Sequence, residues 1–235
     1  MLPTSLLSNS TVTTVAGAAA LLLVVLIILS TLGALVTFTI VVIANRADPD
    51  PTGKRPLAAY LFGGSFVTLW ITFAALVSLA FTIIGLLGSH SSDPASHAVN
   101  AYSDSVVRSL VLGTIVTLIA GYAYLIHRKR GITLAESDED ASSPSKRVLR
   151  GYVAAVSFLT TVIVILGSIA FFYVLFELLA PGVFMAAGSR VDSLKTLLDD
   201  VVVVGLSTYI FRSHQALVPA DQRLFAGLRS APSAE

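Results

Sequence analysis

Two adjacent acids, Asp199 and Asp200, lie within an otherwise mainly apolar segment and are the strongest candidates for chemistry in this chain. An ionisable group inside a membrane-spanning helix usually faces protein or water, and it often marks a path for ions or protons. Asp199 precedes Arg212 by 13 residues. If Arg212 marks one boundary, both carboxylates lie about 20 Å into a hydrocarbon core about 30 Å thick. Binding of a cation or a proton is the chemistry that this position would allow.

A structural role for the same residues is the competing interpretation. Lys195 precedes Asp199 by four residues, a helical spacing at which the two charges can neutralise each other. Arg108 is predicted near the same side of the membrane, where it could pair with the acids or extend to the headgroups. Asp199, Asp200, Lys195 and Arg108 are therefore predicted to form either an ion-binding site or a structural ion pair.

No catalytic, metal or cofactor site is predicted. His90, Asp93 and His97 share a polar stretch, but their spacing offers no rigid set of three or four ligands of the kind that zinc sites use. The chain has no cysteine. It also has no nucleophile elbow, P-loop, HExxH pattern or dinucleotide-binding fingerprint. His127 and His214 fall at the ends of apolar segments. We therefore predict that the protein is not an enzyme.

The composition predicts a protein that is solvated largely by lipid. Of the 235 residues, 55% are hydrophobic and 12% are charged, whereas a soluble domain carries about 25% charged residues. The net charge of +1 gives no electrostatic reason to expect a nucleic-acid partner.

Five segments are apolar enough to cross a bilayer as helices, which takes about 20 residues each. They cover residues 15–44, 58–87, 106–127, 151–176 and 192–211, and the last is the least apolar because it contains Lys195 and the two acids. The first 45 residues carry no charged side chain, so the first segment lacks the basic start of a signal peptide and is predicted to remain as a membrane helix.

The second and fourth segments resemble each other. Residues 54–88 and 146–180 align without a gap and are identical at 10 of 35 positions, including Tyr60/Tyr152, Ser65/Ser157, Phe66/Phe158 and Ile71/Ile163. Each is followed by a shorter apolar segment in which a glycine lies seven residues before an arginine, Gly121 before Arg128 and Gly205 before Arg212. The chain is therefore predicted to contain a membrane hairpin twice.

Basic residues predict the orientation, because Lys and Arg accumulate in cytoplasmic loops. Twelve of the fifteen lie between segments one and two, between three and four, or after five, and only Arg108, Arg190 and Lys195 lie on the other side. This places the N-terminus outside and the C-terminus in the cytoplasm. Both hairpins then begin at the cytoplasmic face, so they are parallel repeats and not the inverted repeats common in carriers.

These observations divide the chain into five parts. An N-terminal helix occupies residues 1–46, a first hairpin 54–130, an acidic cytoplasmic linker 131–145, a second hairpin 146–212 and a cytoplasmic tail 213–235.

The spacing Arg-x-x-x-x-Tyr at the start of each hairpin, Arg55–Tyr60 and Arg147–Tyr152, resembles a prokaryotic family of multi-helix membrane domains of unknown function (the DUF5671-type domain). The sequence from Gly121 to His127-Arg128 shares this resemblance, but the second hairpin has Phe211 where the first has His127. The resemblance implies a bacterial or archaeal inner membrane and no activity or site residues.

The sequence thus predicts an all-α integral membrane protein with five transmembrane helices, one plus two tandem hairpins. Its expected role is structural: a small subunit or scaffold whose partners are the lipid bilayer, further copies of itself or other membrane subunits. A transporter or channel component with an acidic cation or proton site on the fifth helix is the alternative.

Overall fold

The computed structural model describes residues 53–87, 98–138, 143–180 and 190–217, together with the single positions 35, 39 and 50; for residues 98–105 it describes the backbone alone. The predicted N-terminal helix and most of the predicted tail lie outside these residues. The described chain forms four helices and no strand: α1 (Lys54–Gly85), α2 (Ala98–Glu136), α3 (Pro144–Leu179) and α4 (Arg190–Gln215).

Three of these helices are long and apolar enough to cross a membrane, over Lys54–Gly85, Val106–Glu136 and Pro144–Leu179. This agrees with an all-α membrane protein. The fourth helix forms over the predicted fifth segment but falls short of the same apolarity among the described residues. Its three internal charges, Lys195, Asp199 and Asp200, are the reason.

The helices are longer than the apolar segments that predicted them. Helix α2 begins at Ala98, within the predicted outer loop, and continues through Glu136, the sixth residue of the predicted linker. Helix α3 begins with Pro144, whose fixed φ suits the first position of a helix. Hydropathy detects only the part of a helix that meets lipid, whereas the backbone hydrogen-bond ladder continues into polar sequence beyond it.

Helix α1 packs mainly on α2, and α3 mainly on α4, while α1 and α3 provide the largest share of the contact between the two pairs. The hydrophobic core lies toward the end of the bundle where α1 and α3 begin and where α2 and α4 finish. We call this the basic end, because Lys54, Arg128 and Lys146 lie there. Its largest fully buried apolar side chains are Phe62, Val148, Val156 and Leu159.

Hydroxyl groups within the apolar helices are largely satisfied by the helix itself. Thr68, Thr72 and Thr160 each donate to the carbonyl oxygen four residues earlier, at 2.7 to 2.8 Å. Such bonds let serine and threonine lie in an apolar surrounding without leaving an unsatisfied donor. Polar side chains that instead reach another helix are therefore informative.

Candidate functional site

The structure does not join the four predicted site residues into an ion pair. Asp199 and Asp200 lie half-buried on α4, and Arg108 is exposed on α2. Lys195 donates from its ammonium Nζ to the carbonyl oxygen of Gly85, at 3.2 Å. Within the described parts of the chain, no ion pair connects Lys195 or Arg108 with either acid. Lys195 thus satisfies a carbonyl at the end of α1, where the helix leaves carbonyl groups without an internal partner.

The two acids nevertheless keep buried oxygen atoms without a partner. Asp199 Oδ1 and Asp200 Oδ2 accept no hydrogen bond from the described residues. Ser207, seven residues beyond Asp200, is fully buried, and its Oγ likewise makes no hydrogen bond there. These three atoms are the observation in favour of a ligand on α4.

A second polar group lies near the basic end and was missed by the sequence analysis. Ser65 on α1, Tyr124 on α2, Tyr152 on α3 and His214 on α4 converge on one point, which we call the polar junction. The Tyr152 hydroxyl lies 2.9 Å from His214 Nε2 and 3.1 Å from Ser65 Oγ. The Tyr124 hydroxyl lies 3.5 Å from the same Nε2 atom. Each of the four described helices therefore contributes one side chain.

The direction of these hydrogen bonds follows from the carbonyl beside His214. Its Nδ1 lies 2.8 Å from the Ile210 carbonyl oxygen, and a carbonyl can only accept, so Nδ1 carries the proton. In the neutral ring Nε2 then accepts from the Tyr152 hydroxyl, and Tyr152 in turn accepts from Ser65. Ser65, Tyr152 and His214 are all fully buried. These three side chains satisfy one another in a place where an unpaired polar group would be costly.

The polar junction is the last step of a polar stripe along α4. Ser193, Asp200, Ser207 and His214 follow one another at intervals of seven residues, and seven residues are nearly two full turns. Ser193, Ser207 and His214 are buried, and Asp200 is half-buried. The stripe faces the bundle and is about 31 Å long. Its interval of seven was the sequence signal that could have identified His214.

The first hairpin contains a matching contact between a tyrosine and a histidine. Tyr60 meets His127 edge-on, with ring centroids 5.7 Å apart and an interplanar angle of 61°. Tyr152 and His214 are 5.4 Å apart at 59°. His127 Nδ1 also lies 2.7 Å from the carbonyl oxygen four residues earlier, that of Ala123. The two pairs differ in burial, because Tyr60 is 65% exposed and Tyr152 is fully buried.

A charged contact joins three helices beyond the apolar segments at the basic end. Asp138, which follows α2, accepts from Lys54 Nζ at the start of α1 and from Ser145 Oγ at the start of α3. The hydrogen bond from Lys54, followed by that from Ser145, holds the pKa of the Asp138 carboxyl below its usual value. Asp138, which belongs to the predicted acidic linker, therefore connects the start of the first hairpin with the start of the second.

This contact predicts a dependence of stability on pH. Because the folded-state pKa of Asp138 is lowered, its stabilising effect is complete above the ordinary aspartate pKa of about 3.9 and is lost as the pH falls through the lower folded-state value. Asp138→Asn should remove that acid-dependent loss in thermal unfolding measured from pH 6 to pH 3 in detergent. Glu136→Gln, an exposed acid two residues earlier, is the control and should keep it. An unchanged pH profile in Asp138→Asn would contradict the assignment.

The described residues contain no group of three or more histidine, cysteine, aspartate or glutamate side chains placed to hold a metal ion. His90, Asp93 and His97 lie outside those residues.

No protein-family model, no curated protein and no solved structure matches the chain. The resemblance to the DUF5671-type domain therefore stays a prediction, and the role of the protein has to be argued from its own residues.

Proposed function

We propose that the protein is an integral membrane structural or interaction protein, a small subunit or scaffold of a membrane complex, and not an enzyme. The polar junction supports this role. Ser65, Tyr152 and His214 use their hydroxyl and imidazole groups on one another and are shielded from solvent. Such a group fixes the relative position of helices and leaves no polar atom turned toward a substrate.

One observation carries the proposal: the helices cover very little of their own apolar surface. In the most apolar window of each of the three candidate spans, only 11% of the residues are buried inside the chain. Many of the other residues are exposed and are available for contact with lipid or with another protein. Exposed side chains include large aromatic ones, among them Tyr122 at 69% and Phe172 at 54%. A chain of this kind has extensive surface for assembly within a bilayer.

We also propose five membrane helices, arranged as one plus two plus two, with the two hairpins as parallel repeats in a prokaryotic inner membrane. The identities in the gap-free alignment and the close pairing of α1 with α2 and of α3 with α4 support the repeats. The distribution of basic residues supports an outside N-terminus and a cytoplasmic C-terminus.

Cysteine labelling tests this orientation, since the chain has no cysteine of its own. Ser92→Cys should react with a membrane-impermeant maleimide in intact cells, because it lies in the proposed outer loop. Ser142→Cys should react only after the membrane is permeabilised. Both positions lie outside the described residues. The opposite labelling pattern would overturn the orientation.

Co-isolation tests the proposed role. The full chain is expressed at its natural level in its own membrane with an affinity tag, extracted in polymer-bounded lipid discs and analysed by quantitative proteomics beside an untagged strain. We expect stoichiometric recovery of a second membrane polypeptide or of an untagged copy of this chain. Recovery of the tagged chain alone would contradict the proposal.

A transporter or channel component is the second candidate, supported by the unpartnered Asp199 Oδ1, Asp200 Oδ2 and Ser207 Oγ atoms. Buried oxygens in a membrane helix are satisfied by water, a proton or a cation when protein supplies no donor. In this role the two acids bind the ion or proton and α4 lines its path.

Proteoliposome flux separates the two roles. A transport role predicts proton or cation flux that Asp199→Asn and Asp200→Asn together abolish, with the folded yield preserved. Asp192→Asn, at an exposed acid on the same helix, should retain it. The structural role predicts no flux above empty liposomes for any of these proteins, and a change only in thermal stability for the double variant.

A further inference from the structure

The two hairpins meet through different faces of equivalent helices. Helix α1 contributes a forward face that includes Phe62 and Ser65, and both of these contact Tyr152 on α3. Helix α3 contributes the side that lies opposite in the alignment of the two helices. We call this side, which includes Tyr152, the rear face. The buried residues compared here are Phe62, Ser65, Phe66 and Leu69 on the forward face and Tyr152, Leu159 and Ile163 on the rear face.

The gap-free alignment of the repeats shows that the remaining two faces are open. The rear-face positions on α1 hold Tyr60, Val67 and Ile71, which are 65%, 52% and 44% exposed. The forward-face positions on α3 hold Ala154, Ser157, Phe158 and Thr161, of which Ser157 is half-buried and the other three are exposed. Among the described residues, one forward face is thus buried on one rear face, and one of each is exposed.

The exposed faces repeat the side chains of the buried contact. Tyr60 has the residue type of Tyr152, Ser157 that of Ser65, and Phe158 that of Phe66. Tyr60 also already has a histidine beside it, as Tyr152 has. Tyr60 and Ser157 thus place two hydroxyl groups at matching positions on otherwise apolar surfaces. Ser157 Oγ accepts from Gln215 Nε2 at 2.9 Å, and its own hydroxyl proton is left to donate to Tyr60.

We propose that a second copy of this chain binds head to tail, so that the forward face on α3 of one copy covers the rear face on α1 of the next. Ser157 then takes the place against Tyr60 that Ser65 holds against Tyr152. The contact continues the interface already present inside the chain, and it rests on the proposed interaction role and on the hairpin repeat. A heterologous contact of this kind forms a ring when its rotation closes. A bilayer holds every hairpin at the same depth, and this favours a closed ring over an open helical filament.

Cross-linking between copies tests the geometry. Copies carrying Tyr60→Cys are co-expressed with copies carrying Ser157→Cys and treated in membranes with a short bifunctional thiol reagent. We expect a two-chain product from the mixture and not from either variant alone. A product from Tyr60→Cys alone would indicate a symmetric contact and overturn the proposal, as would the absence of any product from the mixture.

Matched substitutions test the energetics in the full chain. Tyr60→Ala and Phe158→Ala should each weaken self-association about tenfold, a change that corresponds to about 1.4 kcal/mol. Tyr122→Ala removes a tyrosine of similar exposure from α2, which takes no part in the proposed contact, and should leave self-association unchanged. Single-molecule photobleaching in lipid discs counts the copies.

The outcomes distinguish this inference from the proposed function. A monomeric wild type bound to another polypeptide, or an oligomer that Tyr60→Ala and Phe158→Ala leave intact, overturns the head-to-tail contact and preserves the interaction role. A wild type with no partner of any kind overturns both.

Discussion

Tyr152→Ala should lower the free energy of unfolding by about 3–5 kcal/mol, the cost typical of removing a fully buried aromatic side chain. The Tyr152 ring packs on Phe62 with centroids 5.2 Å apart, and the hydroxyl bonds to Ser65 and His214. The substitution therefore leaves a cavity and also deprives two buried polar groups of their partner. Unfolding in mixed micelles by increasing SDS measures the change.

Two further variants separate the hydroxyl from the ring. Tyr152→Phe keeps the ring and should cost about 1–2 kcal/mol, because Ser65 and His214 lose their shared hydrogen-bond partner. Tyr209→Phe removes the same hydroxyl from a residue on α4 that is 70% exposed and should have little effect. Equal stability of these two variants would contradict the assignment of the polar junction as a fixed structural centre.

Gly131→Val should have the second largest effect. A Cβ atom at Gly131 would lie 2.9 Å from Cε1 of Phe62, closer than carbon atoms approach without repulsion. Phe62 is fully buried, and its ring packs against the Tyr152 ring at an interplanar angle of 30°. The Phe62 ring therefore cannot move away from a new side chain at Gly131 without displacing its neighbours. We expect a loss of about 1–3 kcal/mol in the same SDS titration, the cost typical of overpacking.

A compensating substitution makes this prediction specific. Phe62→Leu shortens the obstructing side chain, so the double variant should lose less than the sum of the two single losses. Gly205→Val on α4 is the control, because nothing lies within 4 Å of a Cβ there. Additive losses from Phe62→Leu and Gly131→Val would show that the two residues do not meet as described.

The sequence predicted the helices well and their polar contacts poorly. Hydropathy located α1 to α4 because long apolar runs are a direct consequence of lipid contact. It underestimated their length, since residues such as Lys129 and Arg130 are helical without being apolar. The contact of Asp138 with Lys54 depends on where a polar segment turns after its helix, and local sequence does not determine that.

The pairing of Lys195 with Asp199 was plausible from the helical spacing alone. The lysine side chain is flexible, and the carbonyl of Gly85 at the neighbouring helix end competes for its ammonium. Only the packing of α1 beside α4 brings that carbonyl within reach. Asp199 Oδ1 and Asp200 Oδ2 have no hydrogen-bond partner among the described residues, and ion binding by the two acids stays a prediction.

The polar junction escaped prediction because Tyr60 and Tyr152 occupy equivalent positions with the same residue type. The alignment gives no reason to expect different surroundings for them, yet Tyr60 is 65% exposed and Tyr152 is fully buried. Helices that are apolar on every side do not reveal which face packs inward. The choice of face arises only when one hairpin packs against the other.

The central claim is that this chain acts as a member of a membrane assembly. The mass of the intact particle tests this claim most directly. The protein is released gently from its own membrane and measured by native mass spectrometry. We predict a particle with a protein mass well above the 24.7 kDa of one chain, and the head-to-tail contact predicts a whole multiple of that mass. A single chain carrying only lipid, under conditions that preserve known membrane complexes, would contradict the claim and shift the interpretation toward transport through α4.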